Sequence, residues 1–314
     1  HTSDADALAL YAVELPADAA WRRLDRGSAW EAYADGGAAY SEQLRRFRPD
    51  AALVVDWSGA SALSRLDDAL IRGLPIVYLN FRVFSAGLPL NEGGWYDAME
   101  RRALAAATLS VALSARDADS LRALLLAERA GHRGGVGSVA ARAPRVYVLH
   151  PPLRSAMHEL ATARGEAATT APSASGRLYL SCVVRLSREK APRRFVELPR
   201  AIKPALDESE AVPLLCGASS DAEYAAEVKR ALAEAAPQAR IFDDFLGAEE
   251  LADVFAATVL NFHPCAYDAY GMSVVEAAAF GAPSVINGGG NVGAGELLSE
   301  EEDTAIEVNF GQPL

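Results

Sequence analysis

The sequence alternates short apolar runs with helix-like segments, and it does so twice along its 314 residues. In the first half, runs rich in Val, Ile, Leu and Tyr occupy residues 8–15, 51–56, 75–80, 109–113 and 146–149. The segments with helical spacing of apolar residues lie at residues 29–47, 62–71, 95–107 and 115–128. Strands that alternate with helices predict a parallel sheet covered by helices on both faces.

The second half repeats this architecture. Its predicted strands lie at residues 177–184, 212–216, 240–242, 259–262, 283–286 and 304–309. Its predicted helices lie at residues 192–202, 221–235, 249–256 and 272–280. Between the halves, residues 157–176 carry few large apolar side chains and much Ala, Thr, Ser and Pro, which is typical of a linker. We therefore predict an N-terminal Rossmann-like domain over residues 1–156, a linker over 157–176 and a C-terminal Rossmann-like domain over 177–314.

Composition limits the classes of function. A hydrophobic content of 51% can supply two cores, and no apolar run approaches the roughly 20 residues that a membrane helix needs. The net charge of −12 makes general binding to nucleic acid or to an anionic membrane unfavourable. Three scattered cysteines argue against a disulfide framework, so we expect the cytoplasm or another reducing compartment.

Residues 259–298 are the stretch richest in candidate functional groups. Asp268 lies in the loop after a predicted strand, and Glu276 lies about one turn inside the following helix. Both can reach the carboxyl ends of the strands, where open α/β sheets bind ligands. Carboxylates accept hydrogen bonds from the hydroxyls of a sugar or ribose. Taken singly, a turn aspartate and a solvated helix glutamate are the commoner interpretations.

A glycine turn follows in the same stretch. Gly288, Gly290 and Gly293 match G-x-G-x-x-G after a strand, and a helix is predicted to begin at Asn291. Bare backbone amides beside a helix N-terminus form an anion site. The same spacing also occurs in plain tight turns. A dinucleotide site would add an acidic residue about 20 positions on, and Glu307 near that distance lies inside a predicted strand.

The order of these features resembles the donor-site signature of retaining GT-B glycosyltransferases, of the glycosyltransferase family 4 or "glycosyl transferases group 1" type. That family carries Glu, seven residues and Glu, with an aromatic-Gly pair between them and Gly-x-Pro after. Here the stretch reads DAYGMSVVE from Asp268 to Glu276, with GAP at residues 281–283. The family also has an Arg and, five residues on, a Lys after the first strand of its second domain; Arg185 and Lys190 match them.

The resemblance implies an α/β GT-B fold, in which two Rossmann-like domains with parallel sheets face each other across a cleft. It implies a retaining hexosyltransferase that moves a sugar from a nucleoside-diphosphate sugar to an unidentified acceptor. Neither a metal nor another cofactor is expected. The N-terminal domain would bind the acceptor, with the loops after Asp56 and Asn80 as candidates.

The resemblance also assigns roles to single residues. Two fixed cations, Arg185 and Lys190, would neutralise the diphosphate. Glu276 would hold the ribose hydroxyls, and Asp268 would hold the transferred sugar. Backbone amides would bind the sugar or the phosphates; they belong to Tyr270, Gly271, Met272, Gly289 and Gly290. The D-x-D spelling at residues 117–119 is not assigned to a metal, because acids at the start of a helix favour its dipole.

Four departures from the family pattern favour alternatives. Asp268 replaces the first Glu, Ala191 replaces the Gly after Lys190, no glycine pair follows residues 8–15, and the sequence ends just after its last predicted strand. One alternative is a non-catalytic GT-B subunit that binds a partner protein. Another is a related enzyme with other chemistry, such as a sugar-nucleotide epimerase.

Overall fold

The computed structural model describes residues 29–87, 90–131, 145–168, 178–219, 221–301 and 303–311. These residues form two compact units, each built on one parallel sheet. The first unit runs up to Leu113 and includes Asp117–Leu149, and the second consists of Ser114–Arg116 and the chain from His150 onward. The strand predicted at residues 8–15 lies outside the described residues. No helix among the described residues is long and apolar enough to cross a membrane.

The first unit has a four-stranded sheet in the order β1-β2-β3-β4. Its strands are β1 (Ala52–Val55), β2 (Ile76–Asn80), β3 (Leu109–Ala112) and β4 (Arg145–Val148). Its helices are α1 (Ala29–Ala38), α2 (Ser41–Phe47), α3 (Asp56–Leu63), α4 (Asp68–Ile71), α5 (Leu90–Ala106) and α6 (Ala115–Gly131), whose first two residues belong to the second unit. Each predicted strand in the described part of this half is therefore confirmed to within two residues.

One face of this sheet carries the core of the first unit. Tyr78 and Ala112 point to that face and pack against Leu104 of α5 and Leu121 of α6. The alternate residues of the strands point the other way, and Leu53 there is 65% exposed. Helices α3, α5 and α6 follow successive parallel strands, so their crossovers return on the same side of the sheet.

The helix predicted at residues 62–71 is wrong in its position. Asp56 adopts a left-handed conformation with φ of 51°, and α3 begins at this residue directly after β1. A break then separates α3 from α4, where the Asp67 side chain accepts a hydrogen bond from the Ala69 amide at 2.9 Å. Asp67 thereby caps α4, because an Asp oxygen satisfies an amide that the first turn leaves unpaired.

The linker predicted at residues 157–176 is wrong for its first part, which is helical. Helix α7 spans Ser155–Ala168, and residues 169–177 lie outside the described part. Met157 is fully buried, and Leu160 packs with it in a cluster that includes Leu251 and Phe255. An alanine-rich segment has high helix propensity, so two apolar residues three apart are enough to dock it.

The second unit has a six-stranded parallel sheet in the order β10-β9-β8-β5-β6-β7. Its strands are β5 (Tyr179–Val183), β6 (Val212–Cys216), β7 (Arg240–Phe242), β8 (Thr258–Phe262), β9 (Ser284–Asn287) and β10 (Ala305–Val308). Its helices after α7 are α8 (Arg193–Ala201), α9 (Lys203–Ser209), α10 (Ala222–Ala235), α11 (Ala248–Ala256) and α12 (Met272–Ala279). Core clusters cover both faces, around Phe195 on one side and Phe255 on the other.

The strand order of the second sheet places β5 between β6 and β8. The chain moves outward from β5 through β6 to β7, and it later returns beside β5 to build β8, β9 and β10. The direction of winding therefore reverses between β5 and β8. In open α/β sheets, loops at such a switch point diverge at the carboxyl edge and leave a crevice for a ligand.

Candidate functional site

The loops at the switch point of the second sheet carry charged side chains. The loop after β5 contains Arg185 and Lys190, with Lys190 in a short 3-10 helix, and the loop after β8 contains His263 and Asp268. Because parallel strands end at the same edge, the adjacency of β5 and β8 brings the two loops together. Two of the predicted catalytic residues, Lys190 and Asp268, meet there.

We call Lys190, His263 and Asp268 the Asp268 cluster. Lys190 Nζ lies 2.6 Å from Asp268 Oδ2, and each of these side chains is 16% exposed. His263 Nε2 lies 3.2 Å from the same oxygen, and its ring is buried. The other ring nitrogen, His263 Nδ1, lies 3.4 Å from Ser273 Oγ of α12. One carboxylate oxygen is therefore held by two basic groups.

The charges of the Asp268 cluster stabilise one another. Burial raises the pKa of Asp268, but the hydrogen bond from His263 and the charge of Lys190 outweigh burial and hold that pKa well below its usual range. Burial lowers the pKa of His263, yet the Cys265 sulfur and the Asp268 carboxylate outweigh burial and raise it to about 9. At neutral pH His263 and Asp268 are therefore both charged and form an ion pair.

The same loop offers three metal-type ligand atoms. The nearest such atoms of His263, Cys265 and Asp268 lie within 4.8 Å of one another. However, the Lys190 ammonium already contacts the Asp268 carboxylate and repels a cation placed beside it. The set is better matched to holding protons on His263 and Lys190 than to coordinating a divalent ion.

The loop from Asp268 ends at the N-terminus of α12. Gly271 has φ of 92°, a conformation that other residues adopt only with strain, and it directly precedes Met272, the first residue of α12. The amides of Gly271 and Met272 have no acceptor among the described residues. Unpaired amides at the start of a helix attract anions. The neighbouring Tyr270 is buried and stacks on His150 at a centroid distance of 6.0 Å.

Glu276 lies one turn inside α12, where the sequence predicts it, and its side chain is 4% exposed. It does not contact the Asp268 cluster through any described hydrogen bond; its Oε1 accepts one from Arg154 Nε at 2.6 Å. Arg154 directly precedes α7 and is about half exposed. This arginine is a charged partner of the site that the sequence analysis misses.

Arg185 does not join the cluster. Its guanidinium is largely exposed and pairs with Glu189 at 2.9 Å. Ala191, which stands where the family has Gly, adopts a left-handed conformation with φ of 47°. The position after Lys190 therefore needs the backbone conformation that glycine provides freely, and alanine adopts it at a cost of about 1 kcal/mol.

The glycine turn follows β9 as predicted, but no α-helix begins at Asn291. A four-residue 3-10 helix, Gly293–Glu296, takes its place, so the predicted helix N-terminus is wrong. Gly289 and Gly290 have φ near 70°, and the Gly289 amide donates to Glu307 Oε2 at 3.2 Å. A carboxylate of β10 therefore already occupies part of the turn.

The glycine turn is also hydrogen-bonded to the loop after β8. The Asp268 amide donates to the Asn291 carbonyl at 2.9 Å, and the Gly293 amide donates to the Asp268 carbonyl at 3.1 Å. These bonds pair Asp268 with Val292 as a parallel bridge. Beyond the turn, Glu296 accepts from the Ala115 amide at 2.6 Å and lies 2.9 Å from His150 Nε2. The backbone at Asp268 is therefore fixed independently of its side chain.

Within the first unit, the loop predicted after Asp56 is absent, because α3 begins at Asp56 directly after β1. The Asp56 side chain is bonded instead to the loop after β2, which is the other segment predicted to bind the acceptor. Asp56 Oδ1 accepts from the Phe81 amide, which follows β2, at 2.8 Å. Burial raises the pKa of Asp56 to about 6, against the lowering effect of backbone hydrogen bonds from Phe81 and Arg82. Asn80 is buried and donates to the Arg82 carbonyl. The start of α3 and the loop after β2 are thus bonded to each other at the carboxyl edge of this sheet.

The sequence analysis assigns no role to two residues of the site, His263 and Arg154. Arg154 pairs with a residue 122 positions away, whereas His263 lies only five positions before its partner Asp268. His263 directly follows β8, and this position at a strand's carboxyl end is the signal that could have identified it. His-Pro there is also typical of a strand-ending turn, which hides the signal. For Arg154 the sequence contains no comparable pattern.

Comparison with known proteins supports the fold. No protein-family model matches the sequence, and no curated protein matches it either. Among solved structures, the chain is similar to a UDP-forming α,α-trehalose-phosphate synthase from Burkholderia xenovorans, with a TM-score of 0.68 and 17% identity over 91% of this chain and 68% of that one. This chain also aligns with 66% of a second synthase of this kind, from Burkholderia multivorans. The chain therefore spans about two thirds of the length of these structures.

A similar structure from another source is the catalytic domain of starch synthase IV from Arabidopsis thaliana bound to ADP and acarbose. Its TM-score is 0.56 at 15% identity, over 87% of this chain and 65% of that one. These are GT-B glycosyltransferase structures, and the two parallel sheets of this chain match theirs. The fold predicted from the sequence is confirmed: the chain has the GT-B fold.

Proposed function

We propose that the chain is a GT-B glycosyltransferase that binds a nucleoside-diphosphate sugar in its second unit. The observation that carries this proposal is the meeting of Lys190 and Asp268 at the switch point of the second sheet, 2.6 Å apart. A cation for a diphosphate and a carboxylate for sugar hydroxyls are thereby adjacent. The relatives support the assignment, since one synthase is described as UDP-forming and the starch synthase is bound to ADP.

The free amides of Gly271 and Met272 extend the proposed donor site. They lie at the N-terminus of α12, three and four residues beyond Asp268, and a phosphate or sugar oxygen can accept from them. Glu276 in the same helix would hold the ribose hydroxyls, which would then replace Arg154 as its partner. Arg185 would contribute a more remote, exposed charge, because it lies outside the cluster.

The proposed reaction retains the anomeric configuration and transfers a hexosyl group. An acceptor hydroxyl forms a bond to the anomeric carbon on the face that the diphosphate leaves, the bond from that carbon to the phosphate oxygen breaks, and the hydroxyl proton passes to the leaving diphosphate. Lys190 and the amides of α12 would stabilise the charge that grows on this oxygen. The acceptor would bind to the start of α3 at Asp56 and to the loop after Asn80, both in the first unit.

A ligand exchange at Lys190 follows from this proposal. Before the donor binds, the ammonium is paired with Asp268; when it binds, the diphosphate offers a doubly charged partner at the same nitrogen. Donor binding would therefore loosen one ion pair and form another. The resulting affinity should depend on ionic strength, because both states are electrostatic.

The test is donor binding by the wild type and by Lys190→Met, which keeps the aliphatic chain and removes the charge. We expect a thermal shift of the wild type with one of UDP-glucose, ADP-glucose or GDP-mannose, without added metal, and a loss of affinity of at least tenfold in the variant. Lys203→Met is the matched control, because Lys203 on α9 forms only an exposed pair with Asp207. A folded wild type that binds no sugar nucleotide would refute the proposal.

The reaction itself is tested by release of the nucleoside diphosphate. With the donor identified, we expect slow hydrolysis alone and faster release with sugars offered as acceptors. The anomeric configuration of the product, read by NMR, tests retention. Donor binding without any release of diphosphate would instead support the non-catalytic alternative.

A further inference from the structure

The two oxygens of Asp268 have different surroundings. Oδ2 accepts from both Lys190 Nζ and His263 Nε2, whereas Oδ1 has no hydrogen-bond partner among the described residues. The backbone of Asp268 is held on both sides by the bridge to Val292. A hydroxyl that approaches this carboxylate therefore meets Oδ1, whose direction depends on what holds Oδ2.

Lys190 and His263 differ in how firmly they can hold Oδ2. Lys190 is at the end of a flexible side chain, and in the proposed function it turns to the diphosphate. His263 is buried, follows β8 directly, and has its second nitrogen near Ser273 Oγ. Burial and this second contact restrict its ring. After Lys190 turns to the phosphate, His263 is the partner that remains.

We propose that His263 is a positioning residue: its hydrogen bond to Oδ2 keeps Asp268 oriented so that Oδ1 binds a hydroxyl of the donor sugar while Lys190 binds the diphosphate. This inference rests on the proposed function. It also accounts for the shorter carboxylate at this position. Aspartate reaches one methylene less far than the glutamate of the family pattern, so its orientation must be fixed for the sugar contact to form.

The experiment compares a sugar nucleotide with the free nucleoside diphosphate, using calorimetry on the whole chain. The dissociation constant of the free nucleoside diphosphate divided by that of the sugar nucleotide measures the contribution of the sugar. We expect His263→Ala to reduce this ratio about tenfold, the effect of losing one hydrogen bond to a charged group, while affinity for the free diphosphate changes little. His263→Gln can still donate from its own Nε2, and we expect it to restore most of the ratio.

A matched control is His158→Ala, which removes an exposed histidine from α7. A general weakening of the loop would lower the affinities for sugar nucleotide and free diphosphate together, and that result would overturn the inference. A Gln variant indistinguishable from the Ala variant would overturn it as well. Should the wild type bind neither ligand, the proposed function would fail first, and the role of His263 with it.

Discussion

Removing the proton-binding site of His263 should change how stability depends on pH. The pKa of this histidine is raised from 6.5 to about 9 in the folded chain. A group whose pKa is higher in the folded state stabilises that state fully below its unfolded pKa, and the stabilisation disappears as the pH rises through the folded pKa. The shift of about 2.5 units corresponds to about 3 kcal/mol at 1.36 kcal/mol per unit.

The assay is urea-induced unfolding of the wild type and of His263→Gln, at about pH 6 and at about pH 9.5. The wild type should lose about 3 kcal/mol more unfolding free energy than the variant between these two conditions. Other groups titrate in the same interval, but they do so in both proteins and cancel in the difference. Exposed His158, replaced in the same way, serves as the control.

An equal loss in wild type and His263→Gln would refute the reasoning. It would mean that the imidazole is neutral in the folded chain and that Lys190 alone balances Asp268. The Cys265 sulfur also contributes to the raised pKa of His263. Repeating the measurement with Cys265→Ala therefore separates the sulfur from the carboxylate as the source of the shift.

Three further predictions concern the second unit. Arg154→Met leaves the buried carboxylate of Glu276 without its partner, so the unfolding free energy in urea should fall by about 1–2 kcal/mol and recover when Glu276→Gln is added. Gly293→Ala would place a Cβ 2.2 Å from a backbone oxygen, so it should lower the unfolding free energy by more than about 2 kcal/mol and weaken donor binding. Gly165→Ala, in open space on α7, should instead raise the unfolding free energy by about 0.5 kcal/mol, as measured by thermal denaturation. Asp268 has a lowered pKa in the folded chain, so the stability advantage of the wild type over Asp268→Asn should be full above about pH 4 and shrink as the pH falls toward about 2, as measured by urea unfolding.

The strands could be predicted from the sequence because their signals are local. Runs such as residues 75–80 and 212–216 are rich in apolar residues and bounded by Gly, Pro or polar residues, and they correspond to β2 and β6. Helix α7 could not be predicted from the sequence, because its alanine-rich segment is compatible with both a helix and a linker. The burial of Met157 decides between them, and the sequence does not show that burial.

The site could be predicted residue by residue but not as a set of contacts. Lys190 matches the family pattern and Asp268 takes the position of its first Glu, yet their ion pair joins positions 78 residues apart, through the adjacency of β5 and β8. Arg185 matches the pattern equally well and still lies outside the cluster. Spacing along the chain identifies types of side chain at strand ends, while the direction each side chain takes depends on the neighbouring strand.

The bridge between Asp268 and Val292 limits how the proposed donor site could be re-engineered. It ties the loop after β8 to the loop after β9, although α12 and a whole strand separate them in the chain. A chimera that received only one of these loops from another protein of this fold would carry half of a hydrogen-bonded pair. The smallest segment that can be exchanged intact is therefore residues 263–296, with α12 carried inside it.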